Sequence, residues 1–217
     1  MNKYLLLKYN YLHNNINIKI YIINKYMNKL DDSYTLWLHN VFDNDWSING
    51  YKKVYSFNNL EEAISLIENI DNELVEKTML FLMKNNIKPI WEDENNHNGG
   101  CFSYKINNTL IVDVWKNMIY RLIGNTINED ENIIKNITGL SISPKKTYCI
   151  IKIWISSIEK DILNNLLFDN FIQQQIKLDQ KDNLNDKEKI YNDPFNLHKL
   201  CNIEEQQCIF KKHNVLY

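Results

Sequence analysis

The chain has 217 residues, 44% of them apolar and 12% aromatic, which is enough for one good core and a little long for a single small domain. A formal net charge of −2 excludes a global basic field for nucleic acid, so any anion site has to be local. No apolar run approaches the roughly 18 residues of a membrane span, and none of the four cysteines sits at zinc-ligand or small-disulfide spacing.

The start, "MNKYLLLKYNYLHNN", is apolar only in short pieces and does not read as a secretory signal; free thiols and a cytoplasmic location are expected. Residues 1–33 read as a separate, divergent extension, with a strand-like "NIKIYIIN" at 17–24, and the domain proper as 34–217. "YTLWLHN" (34–40) and "KKVYSF" (52–57) alternate as strands, around a turn-rich loop that holds Trp46. "NNLEEAISLIENI" (58–70) is a helix: Asn58 or Asn59 caps it, Glu61 or Glu62 completes a capping box, and Leu60, Ala63, Ile64, Ile67 and Ile70 form its stripe.

"TMLFLM" (78–83) and "CFSYKI" (101–106) read as a hairpin joined by a long loop, "PIWEDENNHNGG", that carries Trp91. "NTLIVDVWKNMIYRLIG" (108–124) is a helix with Asn108 or Thr109 as its cap and Gly124 as its C′ residue. Strands at 137–143 and 147–156 flank "PKK", a third helix covers 157–178, and a final strand lies near "QCIFKK". This order predicts an α+β fold, an antiparallel sheet covered by helices on one side.

In the strand at 147–156, Cys149, Ile151, Ile153 and Ile155 share one face and Tyr148, Ile150, Lys152 and Trp154 the other. The first face must meet helices, which puts Trp154 on the open face. If Trp46 and Trp91 close on each other there, two indoles make a slot for a cationic base. Glu92, beside the slot, can accept from the N1–H and N2 amino group of guanine, a donor pair that only guanine offers. Lys145 and Lys146 of the "PKK" turn are placed to meet phosphate. Each feature also has an ordinary reading: Trp91 as a hydrophobic plug, the acids as a solvated loop, "PKK" as a plain turn, Trp154 as second-face packing. Two other classes compete, an enzyme using Glu92 with Asp93 or Glu94 as acid and base, and an aromatic cage for methyl-lysine.

The segments "LWLHN…DW" (36–46), "VYSFNNLEEAISLIENI" (54–70), "IKPIWEDENNHNGGCF" (87–102), "VDVWKNMIYRLIGN" (112–125) and "IIKIWIS" (150–156) resemble the eukaryotic translation initiation factor 4E family. The resemblance implies a curved antiparallel sheet with three helices on its convex face and a slot for the 7-methylguanosine cap of mRNA on the concave one. It implies a non-catalytic role in translation initiation, or in sequestering caps, with no cofactor or metal. Trp46 and Trp91 fall on the stacking residues, Glu92 on the guanine reader and Trp154 on the contact to the N7 methyl. Trp37 and Trp115 match structural positions, and Phe102 stands where a structural Trp is usual.

The pattern also departs from the family. Lys145 replaces an arginine, Thr147 and Ile150 replace lysines, Lys146 is added, and Lys152 occupies a position that is usually small. The "NDPFNLHKLCNIEEQQ" segment, with Phe195, His198 and Lys199, matches a mobile loop near the second nucleotide. On the partner-binding surface, which the resemblance assigns to Leu60, Ile64, Trp115, Lys116 and Tyr120, Ile64 replaces an exposed Trp, and Lys116 and Tyr120 replace leucines. The expected partners are capped mRNA and a divergent scaffold of the factor 4G type that offers an acidic residue to Lys116.

Overall fold

The computed structural model describes residues 28–157, 188–192, 195–201 and 207–213. Its frame is one antiparallel sheet of eight strands: β1 (Lys29–His39), β2 (Tyr51–Asn59), β3 (Met79–Lys84), β4 (Gly100–Asn107), β5 (Ile137–Pro144), β6 (Tyr148–Ile155), β7 (Glu188–Asn192) and β8 (Gln207–Lys212). They lie in the order β2-β1-β3-β5-β6-β4-β8-β7. The helices are α1 (Leu60–Asn69), α2 (Asn72–Lys77), α3 (Ile111–Ile123), α4 (Glu131–Asn136) and α5 (Leu197–Cys201).

The sheet is curved and its helices cover the convex face. Alternate residues of every central strand enter the core beneath them: Leu36 of β1, Leu80 and Leu82 of β3, Phe102, Tyr104 and Ile106 of β4, and Cys149, Ile151, Ile153 and Ile155 of β6. The expected alternation of β6 is therefore observed. The opposite face carries a second, smaller cluster of Tyr51, Met79, Phe81, Met83, Cys101 and Trp154.

Several elements differ from the sequence reading. β3 and β4 are not a hairpin, because β5 and β6 lie between them, so the Trp91 loop is a crossover. β1 begins at Lys29, five residues ahead of the expected domain start at Tyr34. In α1 the buried residues are Ala63, Leu66 and Ile67, with Ile70 buried just after it, while Leu60 and Ile64 face solvent. Asn59 is the cap and accepts from the Glu62 amide at 2.8 Å. A short 3-10 turn at Asn108–Leu110 precedes α3, and its cap is Asn107, which accepts from the Thr109 N–H. Gly124 follows α3 with φ −89°, and Asn125 takes the left-handed conformation at φ 53°. The strand β7 and the short helices α2, α4 and α5 were not anticipated. The strand-like 17–24 segment and the helix at 157–178 lie outside the described residues.

Candidate nucleic-acid interface

Between β1 and β2 the backbone is fixed by its own polar side chains. Asn40 Oδ1 accepts from the Phe42 N–H, Asp43 Oδ1 from Asp45 N–H, Asp45 Oδ1 from Ser47 N–H and Ser47 Oγ from Asn49 N–H. This succession of Asx and Ser turns is what a run of Asn, Asp and Ser does when no ladder is available. The Ser47 hydroxyl and amide also hold the Asp45 carboxyl below its ordinary value. Gly50 is required, because a Cβ there would lie 1.8 Å from the Asp45 carbonyl oxygen. That carbonyl meets His39 Nε2 at 3.0 Å, so Nε2 carries the proton. The His39 ring lies parallel to Trp46, with centroids 4.4 Å apart and an 8° angle between planes. Trp46 is 53% exposed, so one indole face rests on histidine while a large part of the ring meets solvent.

The Trp91 loop leaves β3 at the opposite end of the sheet and has to return across its concave face. Asn85 and Asn86 make the reversal at φ 48° and 64°, conformations that asparagine tolerates. Ile87 and Ile90 then pack onto the concave cluster. Asn96, fully buried, fastens the return. Its Nδ2 donates to the carbonyls of Lys88 and Ile90 at 3.0 and 2.9 Å, and its Oδ1 accepts from Thr138 Oγ1 at 2.9 Å. Asp93 is spent on the loop as well. Burial pushes its pKa up, but N–H groups of Asn95 and Lys88 outweigh this and hold the carboxyl low. Gly99 lies so close to β6 that a Cβ would fall 1.7 Å from the Ile155 carbonyl oxygen. The result presents Trp91, 50% exposed, and an exposed Glu92. Glu92 reaches the neighbourhood of β2: burial first, and the Glu92 charge second, push the Tyr51 phenol up to about 12.

An aromatic floor joins the pieces. Trp154 meets Phe81 edge-on at 6.2 Å, Phe81 meets Tyr51 at 5.2 Å, Tyr51 meets His39 at 4.7 Å, and His39 stacks on Trp46. Trp154 is on the concave face as expected, but it is not open: it is 6% exposed, and its indole N–H donates to Ser141 Oγ at 2.9 Å. His213, just past β8, leans on Trp154 at 4.8 Å. Its Nδ1–H donates to the Asn96 carbonyl at 2.8 Å, so its Nε2 accepts from the Cys101 thiol at 2.8 Å. Burial pushes the Cys101 thiol up to about 12, against Lys152 and Lys211, and pushes His213 down to about 4.

The expected phosphate lysines do not form one cluster. Lys145 and Lys146 are exposed at the β5–β6 turn, which closes with the Lys145 N–H on the Tyr148 carbonyl at 2.7 Å. Lys152 is half-buried beside Trp154, between Ser141 and Ser103 in register. Four strand steps, about 13 Å, separate Lys152 from Tyr148 at the edge of that turn.

A family model for eukaryotic initiation factor 4E matches residues 29–212. The chain belongs to this family. It is 32% identical over 143 residues to eukaryotic translation initiation factor 4E of Eremothecium gossypii, covering 63% of this chain and 66% of that protein, just under two thirds of its length. With the same factor of Candida glabrata it is 28% identical over 162 residues, covering 71% and 75%. Among solved structures it resembles C. elegans eIF4E-3 in complex with the 4E-binding protein Mextli and a cap analog, at a TM-score of 0.63, 19% identity and coverage of 87% and 94%. It also resembles Ascaris suum eIF4E-3 in complex with an m2,2,7G cap, at 0.63, 20%, 88% and 94%. At these identities the two structures establish the fold.

On the convex side, this factor 4E family member corrects one assignment outright. Trp115 is 0% exposed, inside the helix-covered core, and is not a surface residue. Ile64, 42% exposed, and Leu60 do stand outward on α1. Lys116 and Tyr120 of α3 are already engaged: Lys116 pairs with Glu68 Oε2 at 3.3 Å, and the Tyr120 hydroxyl donates to Glu68 Oε1. Those two hydrogen bonds hold the Glu68 carboxyl below its ordinary value. Lys116 therefore does not wait for an acidic residue of a partner. The sequence reading missed His39, Tyr51, Asn96, Ser141 and His213. Only His39 had a local signal, as a buried-type polar residue ending an alternating strand.

Proposed function

We propose that this protein binds the 7-methylguanosine cap of mRNA for translation initiation, without catalysing a reaction. The observation that carries this reading is the aromatic run from Trp154 to Trp46, beneath a loop that presents Trp91 and Glu92. In this reading the methylated, cationic base enters between the outer face of Trp46 and Trp91. Glu92 accepts from its N1–H and N2 amino group. An edge of Trp154 meets the methyl, held in place by Ser141. Lys145 and Lys146, with Lys152 further along the strand, meet the triphosphate. Relatives solved with cap analogs and caps support it. Both Asp93 oxygens already accept hydrogen bonds within the loop, which argues against acid–base work beside Glu92.

The convex surface, with Leu60 and Ile64 outward, is the place for a helical peptide of a scaffold of the factor 4G type, working in the cytoplasm. The C. elegans neighbour in complex with the 4E-binding protein Mextli supports that role. No described helix is long and apolar enough to cross a membrane.

The test is a fluorescence titration of the full chain with m7GTP and with GTP. The methylated nucleotide is expected to bind more tightly, with Trp91→Ala losing roughly 1–3 kcal/mol and Glu92→Gln a comparable amount. Coincident curves for the two nucleotides overturn the reading.

A further inference from the structure

We infer that the concave panel of β5, β6, β4 and β8 is a track for the RNA chain just downstream of the cap, with Lys105 and Lys211 on its phosphates and Tyr148 and Ile209 against its bases. The inference rests on the cap reading above.

The chain as a whole has 27 acids against 25 bases. Yet residues 100–107, 137–155 and 207–212, the strands of this panel with the β5–β6 turn, hold Lys105, Lys145, Lys146, Lys152, Lys211 and Lys212 and no Asp or Glu. Phe102, Tyr104 and Ile106 of β4, with Cys208 and Phe210 of β8, are buried under the helices. Their alternates Ser103, Lys105, Ile209 and Lys211 therefore share the face of Trp154. The register sets them in rows: Trp154, Cys101 and Lys211 in one, Lys152, Ser103 and Ile209 in the next, then Ile150 and Lys105. Lys105 Nζ stands 4.6 Å over the centre of the Tyr148 ring. Ile209 is a large apolar side chain left exposed among these lysines.

From Trp154 to Tyr148 the panel is about 20 Å long, and from β6 to β8 about 10 Å wide. β7 pairs with the outer edge of β8 and lies beyond this panel. A phosphate chain with bases to stack fits such a surface better than an acidic peptide, because the lysines alternate with an exposed apolar side chain and an aromatic ring. The panel borders the floor of the cap slot at Trp154. A capped RNA held in the slot is thus tethered beside it, and weak contacts suffice.

The full chain is titrated with m7GTP, with a capped RNA pentamer and with the uncapped pentamer, as wild type and as the Lys105→Ala/Lys211→Ala double variant. Capped RNA is expected to bind severalfold more tightly than m7GTP. That advantage should fall about sevenfold between about 0.05 and 0.2 M salt, from two phosphate contacts at about −0.7 each. The double variant should lose the advantage and keep its m7GTP affinity. Equal binding of m7GTP and capped RNA overturns the inference. So does an advantage that survives in the variant, a parallel loss of m7GTP affinity, or equal displacement of the RNA by an acidic peptide. If m7GTP itself does not bind, the cap reading fails and this inference goes with it.

Discussion

His39 lies flat against Trp46, 4.4 Å away, while its Nε2–H is held by the Asp45 carbonyl. One face of the exposed indole is thereby taken by the protein, and the ring is oriented before any ligand arrives. Replacing His39 with Ala should weaken m7GTP binding by about 0.5–1.5 kcal/mol, the worth of an aromatic pair. His39→Phe, which keeps a ring behind Trp46, should recover most of it. Titration of Trp46 fluorescence reads both variants, and an unchanged affinity in His39→Ala would mean that Trp46 needs no backing.

Asn96 organises the Trp91 loop from behind, through two backbone carbonyls and Thr138. Asn96→Ala is expected to cost about 2–4 kcal/mol of folding stability, because the buried Thr138 hydroxyl and two part-buried carbonyls lose their partner. Cap affinity should fall as well, although Asn96 itself is buried away from any ligand. Urea unfolding and m7GTP titration measure the two effects. A variant that loses stability but binds m7GTP like wild type would show that Trp91 is positioned by other contacts.

His213 gives a pH signature. Its pKa is lowered from 6.5 to about 4, chiefly by burial, with the Lys152 charge adding to it and the hydrogen bond to the Asn96 carbonyl opposing it. Between these values the unfolded chain binds a proton that the native chain refuses, so stability rises with pH across the window. The full contribution is present above pH 6.5, and roughly 3 kcal/mol of it is lost as pH falls toward 4. His213→Gln should flatten that dependence, as read from unfolding free energies at several pH values. Parallel curves for variant and wild type would assign the acid lability to carboxylates instead.

Glu68 sits between Lys116 and Tyr120 on the convex surface. Glu68→Ala should leave the melting temperature almost unchanged, since the group is solvent-exposed. It should also release Lys116, so that a factor 4G-type helical peptide with an acidic residue binds more tightly to the variant than to wild type. Ile64→Asp should abolish peptide binding in both backgrounds. Calorimetry with acidic and neutral peptides checks this, and identical affinities before and after Glu68→Ala would remove Lys116 from the interface.

Local chemistry was legible in the residues themselves. The alternation of Cys149, Ile151, Ile153 and Ile155 against Lys152 and Trp154 assigned both faces of β6, because a strand's period is two. Asn59 capped α1, and the buried residues of that helix followed from its repeat, apart from the exchange of Leu60 and Ile64 for Leu66. Strand order was not legible, because nothing in "TMLFLM" or "CFSYKI" says that β5 and β6 will come between them. That insertion sends the Trp91 loop back across the concave face instead of around a hairpin, and so sets it over the aromatic floor. The burial of Trp154, its bond to Ser141, the clamp of His213 on Asn96 and the capture of Lys116 by Glu68 join residues 13, 117 and 48 positions apart. Pairings at such separations depend on how the sheet closes. Sequence periodicity reports only which side of its own element a residue faces, and the tertiary structure decides what it meets there.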